Sequence, residues 1–234
     1  MDERLTVDLK EYAIQLGAEL VGIADLEVVK GIKTIPINLL ENYTRAVVIA
    51  FQISPDIFEH IENEPTPLYA QQYNAVNQLL DQVNLRLQSK LLRQGYRALA
   101  VPASQTIDRE NHMAQISSKA LAIAAGIGWQ GKSLLLVTPE YGPRVRIACL
   151  LTNAPLKPDQ VIANRCGRCM KCKEACPGEA IYGTAWPERL RQREEAIDLS
   201  KCVGWVTQMA KRPGIGANIC GICIKSWPWG TVRR

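Results

Sequence analysis

Between residues 69 and 94 apolar side chains recur at helical intervals, with Val76, Leu79, Leu80, Val83, Leu87 and Leu91 on one stripe and Gly95 placed to stop the helix. Upstream, residues 46–53 are almost continuously apolar, the pattern of a strand covered on both faces. Residues 7–16 predict a helix ended by Gly17, and residues 21–24 a short strand. Residues 111–125 predict another helix, ended by Gly126. Two apolar strands follow over 133–137 and 145–151, joined by a turn between Pro139 and Pro143. This alternation is that of an α/β domain. Residues 153–164 have the polar character of a linker, so the chain divides into a core over 1–160 and a smaller module over 161–234.

The module carries the chemistry. Cys166, Cys169, Cys172 and Cys176 form a C-x2-C-x2-C-x3-C run closed by Pro177, the spacing with which bacterial two-cluster ferredoxins hold iron–sulfur clusters. Structural zinc pairs two separated C-x2-C units and has no use for four cysteines packed this closely, so clusters are the expectation. Downstream lie Cys202, Cys220 and Cys223, and with the crossed wiring of such ferredoxins one 4Fe-4S cluster takes these three and the distant Cys176. The other takes Cys166, Cys169 and Cys172. Its fourth ligand is missing, because Trp227 stands before Pro228 where a cysteine would complete the second motif. That cluster is expected to be three-iron or to have an open iron, since an indole offers only an N–H donor. Cys149, the last of the eight cysteines, falls in an apolar strand and reads as a small buried hydrophobe.

Composition bears on compartment and partners. Eight cysteines in clustered spacing argue for metal in a reducing compartment, and residues 1–4 (Met-Asp-Glu-Arg) lack a signal-peptide pattern, so a cytoplasmic protein is expected. No apolar run approaches a membrane span. Residues 151–234 carry twice as many basic as acidic side chains. Nucleic acid is a possible partner for that charge, but Arg165, Arg168, Lys171, Lys173 and Lys225 are more simply counter-charge for anionic clusters.

Residues 126–133 (Gly-Ile-Gly-Trp-Gln-Gly-Lys-Ser) satisfy both G-x-x-x-x-G-K-S and G-x-G-x-x-G. Each motif needs a strand before it and a helix after it, whereas here a helix precedes and a strand follows, which sets a nucleotide site aside. The glycines beside Trp129 leave either a tight helix-to-strand turn or a bare backbone suited to a large flat ligand.

The segment from Lys119 to Ser133, with Thr138, Tyr141, Gly142, Thr152 and the Cys166 motif, resembles epoxyqueuosine reductase and its relatives the reductive dehalogenases. The order of elements is similar across nearly the whole chain. The resemblance implies a nitroreductase-like cobalamin-binding core and a C-terminal two-cluster ferredoxin-like module that passes electrons to cobalt. It places the corrinoid near Gly126, Gly128, Trp129, Gly131 and Lys132, and implies a low-potential electron donor such as ferredoxin or flavodoxin and a small-molecule substrate. Three features depart from the family pattern: the chain stops soon after the second cysteine motif, Trp227 replaces a cluster ligand, and His112 falls where the family has a proton-donating acid, with Asp108 and Glu110 close by. Two functions follow. One is a corrinoid-dependent reductase with His112 or Tyr73 as proton donor. The other is a non-catalytic electron-transfer or cobalamin-handling protein serving a partner.

Overall fold

The computed structural model describes residues 1–184 and 193–228. In chain order the helices are α1 (Glu3–Gln15), α2 (Pro55–Glu59), α3 (Pro67–Arg93), α4 (Ser118–Ala124), α5 (Lys171–Glu174), α6 (Leu199–Ala210) and α7 (Ile222–Lys225). The strands are β1 (Leu20–Asp25), β2 (Arg45–Gln52), β3 (Ala98–Val101), β4 (Trp129–Gln130), β5 (Leu136–Val137) and β6 (Val145–Thr152). Short 3-10 turns occupy Leu26–Val29 and Arg193–Glu195.

Glycine punctuates these helices as the sequence pattern predicts. After α1, α3 and α4 the chain enters the left-handed region at Gly17, Gly95 and Gly126 (φ 108°, 85° and 69°). At each, the glycine N–H and the next N–H turn back onto the last helical turn: Gly95 N donates to Leu92 O and Tyr96 N to Leu91 O. These paired bonds satisfy carbonyls that would otherwise lack partners.

The chain forms two compact units that interleave in sequence. The first comprises Met1–Phe51, Val76–Ile127 and Arg146–Ile162, and the second Gln52–Ala75, Gly128–Val145 and Ala163–Arg234. In the first, a four-stranded sheet has the order β1-β2-β6-β3. β1 pairs antiparallel with β2 from Leu20↔Ala50 to Asp25↔Arg45, and β3 pairs antiparallel with β6 from Ala98↔Thr152 to Val101↔Cys149. The central strands are buried through Ala46–Ala50 and Ala148–Leu151, as a doubly covered strand requires. Val76, Leu80, Val83, Leu87 and Leu91 of α3 are buried, each stabilising the fold by about 1.5–3 kcal/mol, while Leu79 is half-buried. Asn84 on the same helix donates from Nδ2 to Val101 O (3.1 Å) and Cys149 O (2.8 Å), tying α3 to β3 and β6.

Four elements differ from the sequence expectation. The helix expected over 111–125 is confined to α4, because Asp108 accepts from Asn111 N (2.9 Å) and Nδ2 (2.7 Å) and closes a turn in which Asp108 and Met113 exchange main-chain bonds. Ser117 then starts the helix, its hydroxyl accepting from Ala120 N. The strand expected over 133–137 is reduced to β5, since Gly131 N donates to Leu135 O and Leu134 takes φ 62°, making residues 131–135 a hairpin loop between β4 and β5. β3 had no hydropathic signal of its own, being four residues long ahead of Pro102. Finally, part of the expected linker is tied down in the first unit. Asp159 receives Lys10 Nζ at 2.6 Å and the Ile23 N–H at 2.7 Å, and its own N–H donates to Ile23 O.

Candidate metal centre

The second unit gathers all seven motif cysteines. The β4–β5 hairpin forms one wall of the first cysteine loop. Its tightness requires Gly128, whose missing Cβ would lie 2.1 Å from Val137 O, and Gly131, where it would lie 2.9 Å from Val137 Cγ2. The Asn164 side chain links hairpin and loop: Nδ2 donates to Gln130 O and Oδ1 accepts from Cys166 N, both at 2.9 Å. Lys132 is buried, and its Nζ donates to Cys169 O at 2.9 Å. Arg165 covers the Trp129 ring, 5.7 Å from its centroid.

Cys172 lies in α5. Cys202 is carried by α6, which is capped by the Asp198 carboxylate accepting from Lys201 N. Cys220 precedes the turn into α7, and Cys223 lies within α7. Gly221 at that turn has φ 84°, and a Cβ there would come within 2.6 Å of Ile61 Cδ1, so the approach of this turn to Ile61 and Tyr69 depends on glycine. Lys225 donates to Ile61 O instead of standing free as counter-charge. Cys172 packs with Ile181, Ala196 and Ile197, and Cys176, Cys202 and Cys223 lie against the same cluster.

The raised thiols act on one another across both cysteine motifs. Burial raises Cys172 to about 11, and Cys166 and Cys169 push it further up because neighbouring thiolates repel. Burial likewise raises Cys220 and Cys223; Cys176 adds to both shifts, and Cys202 adds to that of Cys223. After burial, Cys220, Cys202, Cys172 and Cys176 act on Cys223 in that order, so thiols of both motifs lie close together. Cys166 is raised by burial, opposed by the Lys132 backbone N–H, then the Trp129 indole N–H and the Lys132 charge. At Cys220 the Ile222 backbone N–H and the Trp205 indole N–H oppose burial in the same way. Thiols crowded and buried in this manner favour their charged form only beside a cation, which is the condition a metal cluster supplies. Among the described residues no three His, Cys, Asp or Glu side chains close on a single ion. No disulfide joins any of the eight cysteines.

Trp227, at the position of the absent cysteine, is 4% exposed, and its carbonyl accepts from the buried Arg144 guanidinium at 3.1 Å. Trp129, Trp205 and Trp227, the three tryptophans among the described residues, each have a buried indole N–H that no acceptor meets in hydrogen-bonding geometry; those of Trp129 and Trp205 act on Cys166 and Cys220 only as nearby dipoles.

The residues expected to hold a corrinoid are committed differently. The space beside Gly126 is filled by Gln160 O (2.2 Å from a Cβ), that beside Gly128 by Val137 O, and Trp129 is 2% exposed. Their bare backbone is thus accounted for by protein packing. His112 sits in the first unit, exposed, at φ 49° in the turn that Asp108 closes, whereas Tyr73 belongs to the second, half-buried and edge-on to Tyr69 with centroids 6.5 Å apart. Asn164, Arg144 and Trp205 were not singled out from sequence, since nothing local marks a side chain that bridges distant segments. Cys149 is fully buried on β6, as expected, and burial pushes its thiol up to about 12.

No family model matches the chain. An epoxyqueuosine reductase of Vibrio cholerae is 24% identical over 269 residues, covering 97% of this chain and 67% of that protein. An epoxyqueuosine reductase of Bacillus anthracis is 38% identical over 95 residues, which is 40% of this chain and 22% of the relative. The tetrachloroethene reductive dehalogenase of Sulfurospirillum multivorans is 31% identical over 125 residues, 48% of this chain and 23% of that protein. Among solved structures, a reductive dehalogenase described with a mechanism for B12-dependent dehalogenation has TM-score 0.71 at 20% identity, covering 97% of this chain and 32% of its own. An epoxyqueuosine reductase structure has TM-score 0.63 at 23% identity, with 97% and 66% covered. The chain therefore has a mixed α/β fold similar to both groups, and homologues that are reductases. The matched stretch spans only about a fifth of the Bacillus relative.

Proposed function

We propose that this chain is an iron–sulfur oxidoreductase, with two clusters in its second unit, that delivers low-potential electrons to a corrinoid for reduction of a small substrate. The observation that carries the reading is the gathering of seven motif cysteines in the second unit, Cys166 and Cys172 buried and the others half-buried, as thiols that act on one another. Bound there, the clusters supply one-electron transfer. Cys176, Cys202, Cys220 and Cys223 form a complete four-thiolate set; Cys166, Cys169 and Cys172 form the incomplete one. The Lys132 backbone N–H and ammonium oppose the rise that burial imposes on Cys166, and Asn164 fixes the loop that presents it. Asp198 orients the first turn of α6 and with it Cys202.

Support for the corrinoid comes from the fold shared with a B12-dependent dehalogenase. Gly126, Gly128 and Gly131 do not fit as its cradle, because protein atoms take the room their missing side chains leave, so no step is routed through it. His112 and Tyr73 remain the proposed proton donors, and a ferredoxin or flavodoxin the proposed electron source. As functional regions, 1–160 is the substrate-handling core and 161–234 the electron-transfer module. No helix among the described residues is long and apolar enough to cross a membrane.

Anaerobically prepared protein is expected to contain about seven to eight irons per chain with matching acid-labile sulfide. Cys176→Ser is expected to abolish one cluster. Stoichiometric zinc without sulfide would overturn the reading. Tight cobalamin binding, measured by calorimetry, is the expected result for the corrinoid part, and no measurable affinity removes it.

A further inference from the structure

Buried tryptophan N–H groups nearly always find an acceptor, and an orphaned one costs about 1–3 kcal/mol. In this chain all three tryptophans among the described residues break the rule, and all three lie in the unit that holds the cysteines. Two of them lie against segments that carry motif cysteines. Trp129 opens the hairpin that Asn164 clips to Cys166 N, and Arg165 covers its ring. Trp205 lies one turn beyond Cys202 on α6. Its Cβ is 3.5 Å from where a Gly178 side chain would begin, which places it against the turn that follows Cys176. One indole therefore lies against each cysteine region, Trp129 against the loop that carries Cys166 and Trp205 between Cys202 on its own helix and the turn after Cys176.

We propose that Trp129 and Trp205 are tuning residues that donate an N–H···S hydrogen bond to a ligating thiolate, one to each cluster, and raise each cluster's reduction potential. The proposal rests on the cluster reading above. A thiolate bound to iron is a charge-bearing acceptor, and the protein's own groups offer neither donor any other. On reduction the cluster gains an electron and its sulfurs become better acceptors. The bond therefore strengthens in the reduced state, and the potential rises. Trp227 has the same orphaned donor but stands at the position of the absent ligand, and is not assigned this role.

The test is potentiometric titration of the full reconstituted chain, followed by electron paramagnetic resonance, for Trp129→Phe, Trp205→Phe and the double variant. Phenylalanine keeps an aromatic ring and removes the donor together with part of the ring volume, which a benzothienylalanine variant controls for. Each single variant is expected to lower the midpoint of one cluster by a factor of about ten in the redox ratio, about 59 mV for one electron, and leave the other unmoved. The double variant should shift both. Where a phenylalanine variant loses its cluster, benzothienylalanine at the same position restores the indole shape with sulfur in place of N–H and is expected to give the same shift. Two intact clusters with unshifted midpoints would overturn the donor role alone. Wild-type protein without iron and sulfide would overturn the cluster reading and the proposal with it.

Discussion

Cys149 is fully buried and Cys223 half-buried, and the two thiols have different surroundings. Cys149 touches only the Ser118 carbonyl, at 3.8 Å, and burial alone raises it, whereas Cys223 is surrounded by other cysteines. A lone buried thiol behaves as a hydrophobe and its pKa as a stability term. Because its folded value of about 12 lies above the ordinary 9.0, its contribution is fully present below pH 9.0 and is lost as pH rises toward about 12. Cys149→Ala is expected to lower stability by about 1 kcal/mol at neutral pH and to flatten the alkaline decline over that window, by on the order of 1 kcal/mol per pH unit near its middle. Urea denaturation across the pH series measures this. A slope equal to that of the wild type would show that Cys149 titrates normally.

At the scale of elements, two glycines show how differently the same residue serves. In the β4–β5 hairpin, Gly128 faces the Val137 carbonyl, which is backbone and cannot yield, so Gly128→Ala is expected to cost about 1–3 kcal/mol and loosen the hairpin that carries Trp129 and Lys132. In α6, Gly204 faces open space within a regular helix. Gly204→Ala is expected to stabilise by about 0.5–1 kcal/mol by removing chain entropy from the unfolded state. Chemical denaturation of the pair separates close approach from idle glycine. The glycine-rich segment was legible as a break between a helix and a strand. What filled the glycines' space was not legible, because Gln160 and Val137 are distant or across a turn, and neither bears a sequence signal pointing back.

For the molecule as a whole, the incomplete ligand set is the feature with the widest reach. If Trp227 removes one thiolate from the set of Cys166, Cys169 and Cys172, the iron without its thiolate is lost or exchangeable. The oxidised protein should then show a three-iron resonance that converts on adding ferrous iron and reductant. Trp227→Cys is expected to raise iron content from about seven to about eight per chain and abolish that resonance. Iron content unchanged in the variant, with two four-iron clusters already present in the wild type, would place the missing ligand elsewhere.

Strict spacing and period are local properties, which is why the seven cysteines, the stripe on α3, the buried strands β2 and β6 and the glycine stops at residues 17, 95 and 126 could be read from the chain unaided. Competing local interactions defeated the same reading at 108–117, where Asp108 and Ser117 offered the backbone other partners than a helix. That Asn164 clips the β4–β5 hairpin to the cysteine loop, that Trp205 packs against the turn after Cys176, and that Lys132 turns its ammonium to Cys169 O were settled only by folding. Each of these is a meeting of segments far apart in sequence. Such meetings are governed by packing of the entire unit, and no short window of residues encodes them.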